Sequence, residues 1–383
     1  MTALVDVDQS SERRALRALV RDVATRELVP HLDEWERAGD VPRSAHKTLA
    51  AAGLLGLGFP ESAGGSGGDA VDAAILAEEL ILSGGSSGLC AALLTHGIAL
   101  PHLVRAGDEQ LIDEVARPIL SGDAIGALAV TEPDGGSDVA SLRTRAVRDG
   151  DEYVVNGSKT YITSGARADF VTKAVRTGGD GWGSISLLVV PTSAPGFSVV
   201  RRLEKTGWLC SDTAELSYVD VRVPARYLIG EENGGFAQIA QQFVGERLAL
   251  AVQACATARR CVDLTLAWCR SRDAFGKPLT GQQVVRHKLV EMHRVTEVAR
   301  TYTWSVLARH VAGDEVVAEA ALAKNTAVAA CDSVVYDAVQ LHGGLGYMRG
   351  TEVEMHARDA RILGIGGGAT EVMTDLAAKR LGI

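Results

Sequence analysis

The sequence predicts an α+β multidomain chain: an N-terminal α-helical domain, a central antiparallel β-domain and a C-terminal four-helix-bundle domain. Three observations predict it. Apolar residues recur at helical spacing from about 11 to 121. Short strand-like runs broken by Gly, Asp, Asn and Pro fill about 124 to 230. Long segments poor in helix breakers follow Gly234-Gly235. At 383 residues the chain exceeds one ordinary core, and the changes in periodicity place the divisions at 1–123, 124–231 and 232–383.

Each element follows from local chemistry. Ala15, Leu16, Leu19, Val20 and Val23 are spaced by three and four residues and predict an opening amphipathic helix. The Gly-rich run Pro60 to Asp69 predicts a long loop, followed by Ala- and Leu-rich helices over 71–83 and 87–106. In the middle region, Tyr153-Val154-Val155, Thr160 to Thr163 and Ser186 to Val190 predict strands, with Asp149-Gly150-Asp151 and Asn156-Gly157 as hairpin turns. Segments 236–272, 282–311 and 314–341 predict long helices joined by short connections, which is a bundle.

Composition narrows the function. A content of 46% hydrophobic and 23% charged residues is that of a soluble globular chain. A net charge of −9 and a pI of about 5.5 argue against a general nucleic-acid surface. Met1 to Arg14 lacks the basic-then-apolar pattern of a leader, and no apolar run reaches bilayer length, so a cytoplasmic setting is expected. Cys90, Cys210, Cys255, Cys261, Cys269 and Cys331 form no CxxC pair and read as free thiols. Glu352, Glu354 and His356 follow a charged helical rhythm and read as a solvated face, with no metal site expected. Gly364, Gly366 and Ala369 have the spacing of a dinucleotide fingerprint, but too little chain follows for a βαβ unit.

Four segments carry chemistry. They are Ala129-Val130-Thr131-Glu132-Pro133-Asp134-Gly135-Gly136-Ser137-Asp138, Asn156-Gly157-Ser158-Lys159-Thr160-Tyr161-Ile162-Thr163, Arg270-Ser271-Arg272-Asp273-Ala274-Phe275-Gly276-Lys277-Pro278-Leu279, and Gln340-Leu341-His342-Gly343-Gly344-Leu345-Gly346-Tyr347. They resemble the signatures of the acyl-CoA dehydrogenase flavoproteins, and the resemblance extends over essentially the whole chain. The resemblance implies that family's three-domain fold, FAD as cofactor, an acyl-CoA substrate and an electron-transfer flavoprotein as electron acceptor. It implies flavin contacts from Val130 and Thr131, CoA contact from Ser137, ring stacking by Tyr161 and a hydrogen bond near N5 from Thr163. Arg272, Phe275 and Gln283 are implied at the FAD pyrophosphate, where a guanidinium fork suits a diphosphate. Gln340, Gly343 and Gly344 are implied at the adenine end of a neighbouring subunit's FAD, which makes the protein a homo-oligomer, expected to be a tetramer. His342 reads as a structural helix-end residue.

The position of the base departs from the commoner pattern. Many relatives place a glutamate immediately before a glycine in the segment matching Ile365-Gly366-Gly367-Gly368; here that position is Gly367. Phe243-Val244-Gly245-Glu246-Arg247-Leu248 resembles instead the branch with isovaleryl-CoA and long-chain enzymes, whose glutamate sits on another helix. The resemblance therefore implies Glu246 as base, the Gly367 N–H together with the FAD ribityl 2′-hydroxyl as oxyanion donors, and Arg247 near the CoA end of the substrate. The apolar neighbours of Glu246 predict desolvation and a raised pKa. The three consecutive glycines are read as vacating volume opposite Glu246, room for a branch or bulk near the reacting carbons. The resemblance favours short branched acyl groups, with long straight chains as the alternative. Leu93, Leu94, Thr95 and Ile98 are candidates for the pocket wall. Tyr161 stands where many relatives have Trp, Ala369 replaces a threonine, and Glu371 matches a cofactor-binding glutamate common in this branch. The implied reaction is α,β-dehydrogenation to a trans-2-enoyl-CoA. The alternatives are an acyl-CoA oxidase, a carrier-protein-linked acyl dehydrogenase, and a non-catalytic flavin- or CoA-binding subunit.

Overall fold

The computed structural model describes residues 9–383, so the beginning of the stretch read for a leader, residues 1–8, lies outside the described residues. The chain folds as helices, then a sheet, then long helices. Helix α1 (Ser11–Val23) starts where the Ser10 side chain accepts the Arg13 N–H. Helix α2 (Ala70–Leu82) starts at a capping box between Asp69 and Asp72 and is buried along most of its length. The helix expected over 87–106 is divided. Helix α3 (Ser87–Leu93) ends at Leu94, short helices follow at His96–Ala99 and Pro101–Ala106, and the axis turns by 60°. Two local causes account for the break. Leu94 leaves helical geometry while the Thr95 hydroxyl bonds back to Ala91 C=O, and Pro101 has no N–H to continue a helix.

The sheet contains β1 (Gly126–Ala129), β2 (Arg145–Asp149), β3 (Glu152–Thr163), β4 (Phe170–Arg176), β5 (Ile185–Pro191), β6 (Phe197–Arg202) and β7 (Thr213–Pro224). Its order is β1-β4-β2-β3-β7-β6, with β5 on the other edge of β4. Pairing is mainly antiparallel, as expected, but β1 and β2 both run parallel to β4. The turn at Gly150 forms the β2–β3 hairpin, with Gly150 at φ +63°. The second expected hairpin, at Asn156-Gly157, is absent: β3 runs straight through, and the register against β7 shifts between Val155 and Gly157. The glycine here is required by close approach, since a Cβ on Gly157 would lie 2.5 Å from Thr144 Oγ1.

Helices α4 (Gly235–Ser271), α5 (Gln283–Val311) and α6 (Val317–His342) form the bundle, closed by α7 (Glu352–Leu363) and α8 (Thr370–Leu381) against α6. Its core is Ala-, Val- and Cys-rich and includes Cys255, Cys261, Cys269 and Cys331, all free. The small side chains let the helices approach closely. Buried Asp359 of α7 accepts the N–H groups of Gly88 and Trp208 at 3.2 and 2.5 Å and so joins all three regions of the chain. No single helix among the described residues is long and apolar enough to cross a membrane.

Candidate active site

Glu246 lies in the first third of α4, with its face of the helix turned towards the glycine loop between α7 and α8. Leu250, one turn on, is buried beside it. The two side chains occupy the space that a side chain at Gly367 would need. A Cβ built on Gly367 would lie 2.5 Å from Leu250 Cδ1 and 3.3 Å from Glu246 Oε1. Gly367 also has φ +62°, which disfavours any other residue. The carboxylate on α4 and the glycine in the loop therefore exclude each other's alternatives: a glutamate at 367 has no room while Leu250 and Glu246 are in place.

The same geometry corrects the reading of spare volume. Leu250 and Glu246 fill the space next to Gly367, and Met373 Cε lies 2.5 Å from a Cβ position on Gly368. At 367 and 368 this packing takes up the volume that the missing side chains leave, while a Cβ on Gly366 would meet only Ile362, at 3.5 Å or more.

Glu246 Oε2 is buried and has no hydrogen-bond partner among the described residues. Burial raises its pKa, and the charges of Arg247 and Lys324 oppose that rise. Arg247 is itself buried, its guanidinium 5.4 Å from the Phe243 ring and its Nε without a partner. Lys324, on α6, was not singled out from sequence. Its ammonium is buried and donates to the carbonyls of Gly366, at 2.5 Å, and Gly368, which flank Gly367. The Gly367 N–H makes no hydrogen bond to any described residue.

A second set of expected residues meets in the sheet. Val130 and Thr131 follow β1, and Thr131 C=O accepts the Thr160 N–H of β3. The buried Lys159 ammonium donates to Val130 C=O at 2.7 Å and to Glu132 Oε1 at 2.8 Å, while Glu132 also accepts the N–H groups of Arg143 and Thr144. This buried ion pair fastens the Val130–Thr131 segment to the strand carrying Tyr161 and Thr163. Glu132 and Lys159 lay within the quoted motifs but had been given no role. Tyr161 sits at an irregularity of β3 with φ 59°, and its ring is 70% exposed, so a flat apolar face is held open on the sheet. Thr163 ends that strand half-buried, and Ser137 is exposed in the loop after β1.

The third set is far from Glu246. Arg272 caps α4, Gln283 opens α5, and Gln340, Gly343 and Gly344 end α6. One end of the bundle gathers them. Trp268 Nε1 donates to Leu341 C=O, the Trp268 ring stacks on His342 at 5.4 Å, and Lys288 of α5 pairs with Asp337 of α6. Phe275 and Gly276 both have positive φ in a tight turn that leaves the Phe275 ring 97% exposed. Arg272 makes no ion pair among the described residues, its guanidinium lies 5.9 Å from the Trp268 ring, and Cβ atoms on Gly343 and Gly344 would meet nothing within 4 Å. An unpaired guanidinium, a bare aromatic ring and an open glycine backbone fit a diphosphate-bearing ligand such as FAD. Glu371, at the start of α8, is exposed.

Family models for the acyl-CoA dehydrogenase N-terminal, middle and C-terminal domains match residues 10–123, 127–221 and 233–382. The chain belongs to the acyl-CoA dehydrogenase family. It is 38% identical to a long-chain specific acyl-CoA dehydrogenase of Sus scrofa, over 97% of this chain and 87% of that protein. It is 35% identical to a probable acyl-CoA dehydrogenase of Bacillus subtilis, over 98% and 100%. A crystal structure of a probable acyl-CoA dehydrogenase from Mycobacterium abscessus superposes with a TM-score of 0.97 at 60% identity, covering 98% of this chain and 100% of that one. The protein is an acyl-CoA dehydrogenase with FAD as cofactor, acting on an acyl-CoA thioester. The charged stretch at Glu352, Glu354 and His356 is not the solvated face expected: Glu354 and His356 are buried and Glu352 half-buried, because the helix packs this face inward, where Glu352 pairs with Arg260 at 2.5 Å and lies 3.4 Å from His356.

Proposed function

We propose that Glu246 is the base that removes the α proton and that the Gly367 N–H is a donor to the thioester oxygen as negative charge develops there. One observation carries this reading: the Glu246 carboxylate lies against Gly367, with one oxygen buried and unpartnered and the neighbouring N–H free. A buried carboxylate without donors is a stronger base than an exposed one, because desolvation disfavours its charged form. The free N–H is a fixed donor that requires no side chain at 367. FAD, when bound, supplies the acceptor for the β hydride. Val130, Thr131, Tyr161 and Thr163 would hold its ring system, with Glu371 nearby, and Ser137 and Arg247 would serve the substrate.

Arg272, Phe275, Gln283, Gln340, Gly343 and Gly344 are assigned to the FAD of a neighbouring subunit. Arg272 lies about 26 residues along α4 from Glu246, or about 39 Å at ~1.5 Å per residue, beyond the reach of a single FAD. This separation supports a homo-oligomer, and we propose a tetramer. We propose in the same sense that the chain divides at 1–123, 124–231 and 232–383, that it works in the cytoplasm, and that an electron-transfer flavoprotein accepts its electrons.

The test is anaerobic mixing of the purified holoprotein with straight and branched acyl-CoAs while visible flavin absorption is followed. At least one chain class should bleach the flavin. The rate should rise with pH through a group titrating above the ordinary glutamate value of about 4.3, because only the deprotonated carboxylate accepts the proton. A yellow protein that no acyl-CoA bleaches would contradict the proposal.

A further inference from the structure

Lys324 stands out among the groups to which the reaction has assigned no role. It is 1% exposed, in a helix whose buried face is otherwise alanine, valine and Cys331. Burying an ammonium group is costly unless several acceptors compensate. Both acceptors found here are carbonyls of the glycine loop, those of Gly366 and Gly368. The next residue, Asn325, donates to Thr370 C=O at 3.0 Å, so α6 holds the loop at its end as well.

We propose that Lys324 is a positioning residue for the dehydrogenation: it aims the Gly367 N–H at the thioester oxygen and strengthens it as a donor. This rests on the oxyanion role given to Gly367 above. The Gly366 C=O and the Gly367 N–H belong to one peptide unit, and in a trans peptide they point in opposite directions. Fixing the carbonyl on Lys324 therefore fixes the N–H to point away from Lys324. The loop needs such an anchor, because Gly367 and Gly368 both have positive φ and no side chains of their own to hold them. A charge-assisted bond to the carbonyl also polarises the peptide and makes its N–H a better donor. A neutral backbone donor could satisfy the same carbonyl without adding positive charge beside the site. The charged groups that act on Lys324 are Glu246 and Arg247, both from α4. The cation thus stands next to the base and the peptide together, where negative charge passes from carboxylate to enolate.

The experiment uses acetoacetyl-CoA, whose acidic α proton makes the bound enolate visible in the near ultraviolet without any redox step. Wild-type holoprotein should hold the probe largely as enolate near neutral pH. K324M, with flavin content and circular dichroism matching the wild type, should bind the probe with the enolate-to-ketone ratio lowered by about ten-fold or more. K324Q keeps a neutral donor of similar length and should fall between the two; it decides the matter if K324M does not fold. An unchanged enolate ratio in whichever variant folds overturns the role of Lys324 while leaving Gly367 as donor. A wild type that keeps the probe as ketone overturns the oxyanion assignment itself, and the role of Lys324 with it.

Discussion

Glu246 and Gly367 are two halves of one arrangement, and neither residue is informative alone. A glycine in place of a catalytic glutamate reads as loss of function, and a glutamate within an apolar helix reads as a misplaced charge. Both positions were legible from sequence, through the resemblance of their segments to one branch of the family. Their contact was not, because it depends on how α4 packs against the loop before α8. Lys324 and Lys159 were missed for a related reason: a lysine gives no sequence sign that its ammonium is buried. A partial signal existed for Lys324, which follows Ala320 and precedes Val328 at four-residue spacing on a buried helical stripe. The contact at Gly367 yields a prediction. G367A places a methyl 2.5 Å from Leu250 Cδ1 at a φ of +62°, so overpacking and backbone strain should destabilise the holoprotein by about 1–3 kcal/mol. Thermal unfolding reads the loss, and an unchanged Tm would mean that the loop has room the structure does not show.

At the scale of elements, the alternation of strand-like runs correctly indicated a sheet but misjudged where its strands end. Asn156-Gly157 has the composition of a hairpin turn, yet the close passage of Thr144 makes the glycine a point of contact inside β3. The helix expected at 87–106 is broken by Pro101 and by the Thr95 hydroxyl, whose competition with the backbone is invisible to hydrophobic periodicity. The segment after β1 is held by the Lys159–Glu132 pair, in which Lys159 is fully buried and Glu132 nearly so. Breaking one partner of a buried pair leaves an uncompensated charge, a cost of about 3–5 kcal/mol. E132Q should therefore loosen Val130–Thr131 against β3 and lower the flavin content of the purified protein. Full flavin occupancy together with unchanged stability in E132Q would show that the pair does not fix this segment.

At the scale of the molecule, the order of helices, sheet and bundle was plain from changes in periodicity, and the structure retains it. The distribution of the site was less plain. The proposed base lies near the start of α4 and the residues proposed around the flavin ring lie on and beside the sheet, whereas Arg272, Phe275 and Gln340 gather at the far end of the bundle. Sequence order hides this division, since Glu246 and Arg272 are joined by one helix and look like neighbours. The central claim is nevertheless local to one chain: the buried, unpartnered carboxylate of Glu246 takes the α proton. The most direct test is anaerobic rapid mixing of wild type and E246Q with the acyl-CoA that bleaches the wild type fastest. Glutamine keeps the shape of the side chain and removes the base, so E246Q should remain yellow, bind the acyl-CoA, and reduce its flavin about 10²–10⁴-fold more slowly. Bleaching of E246Q at the wild-type rate would contradict the account and move the search for the base to another residue.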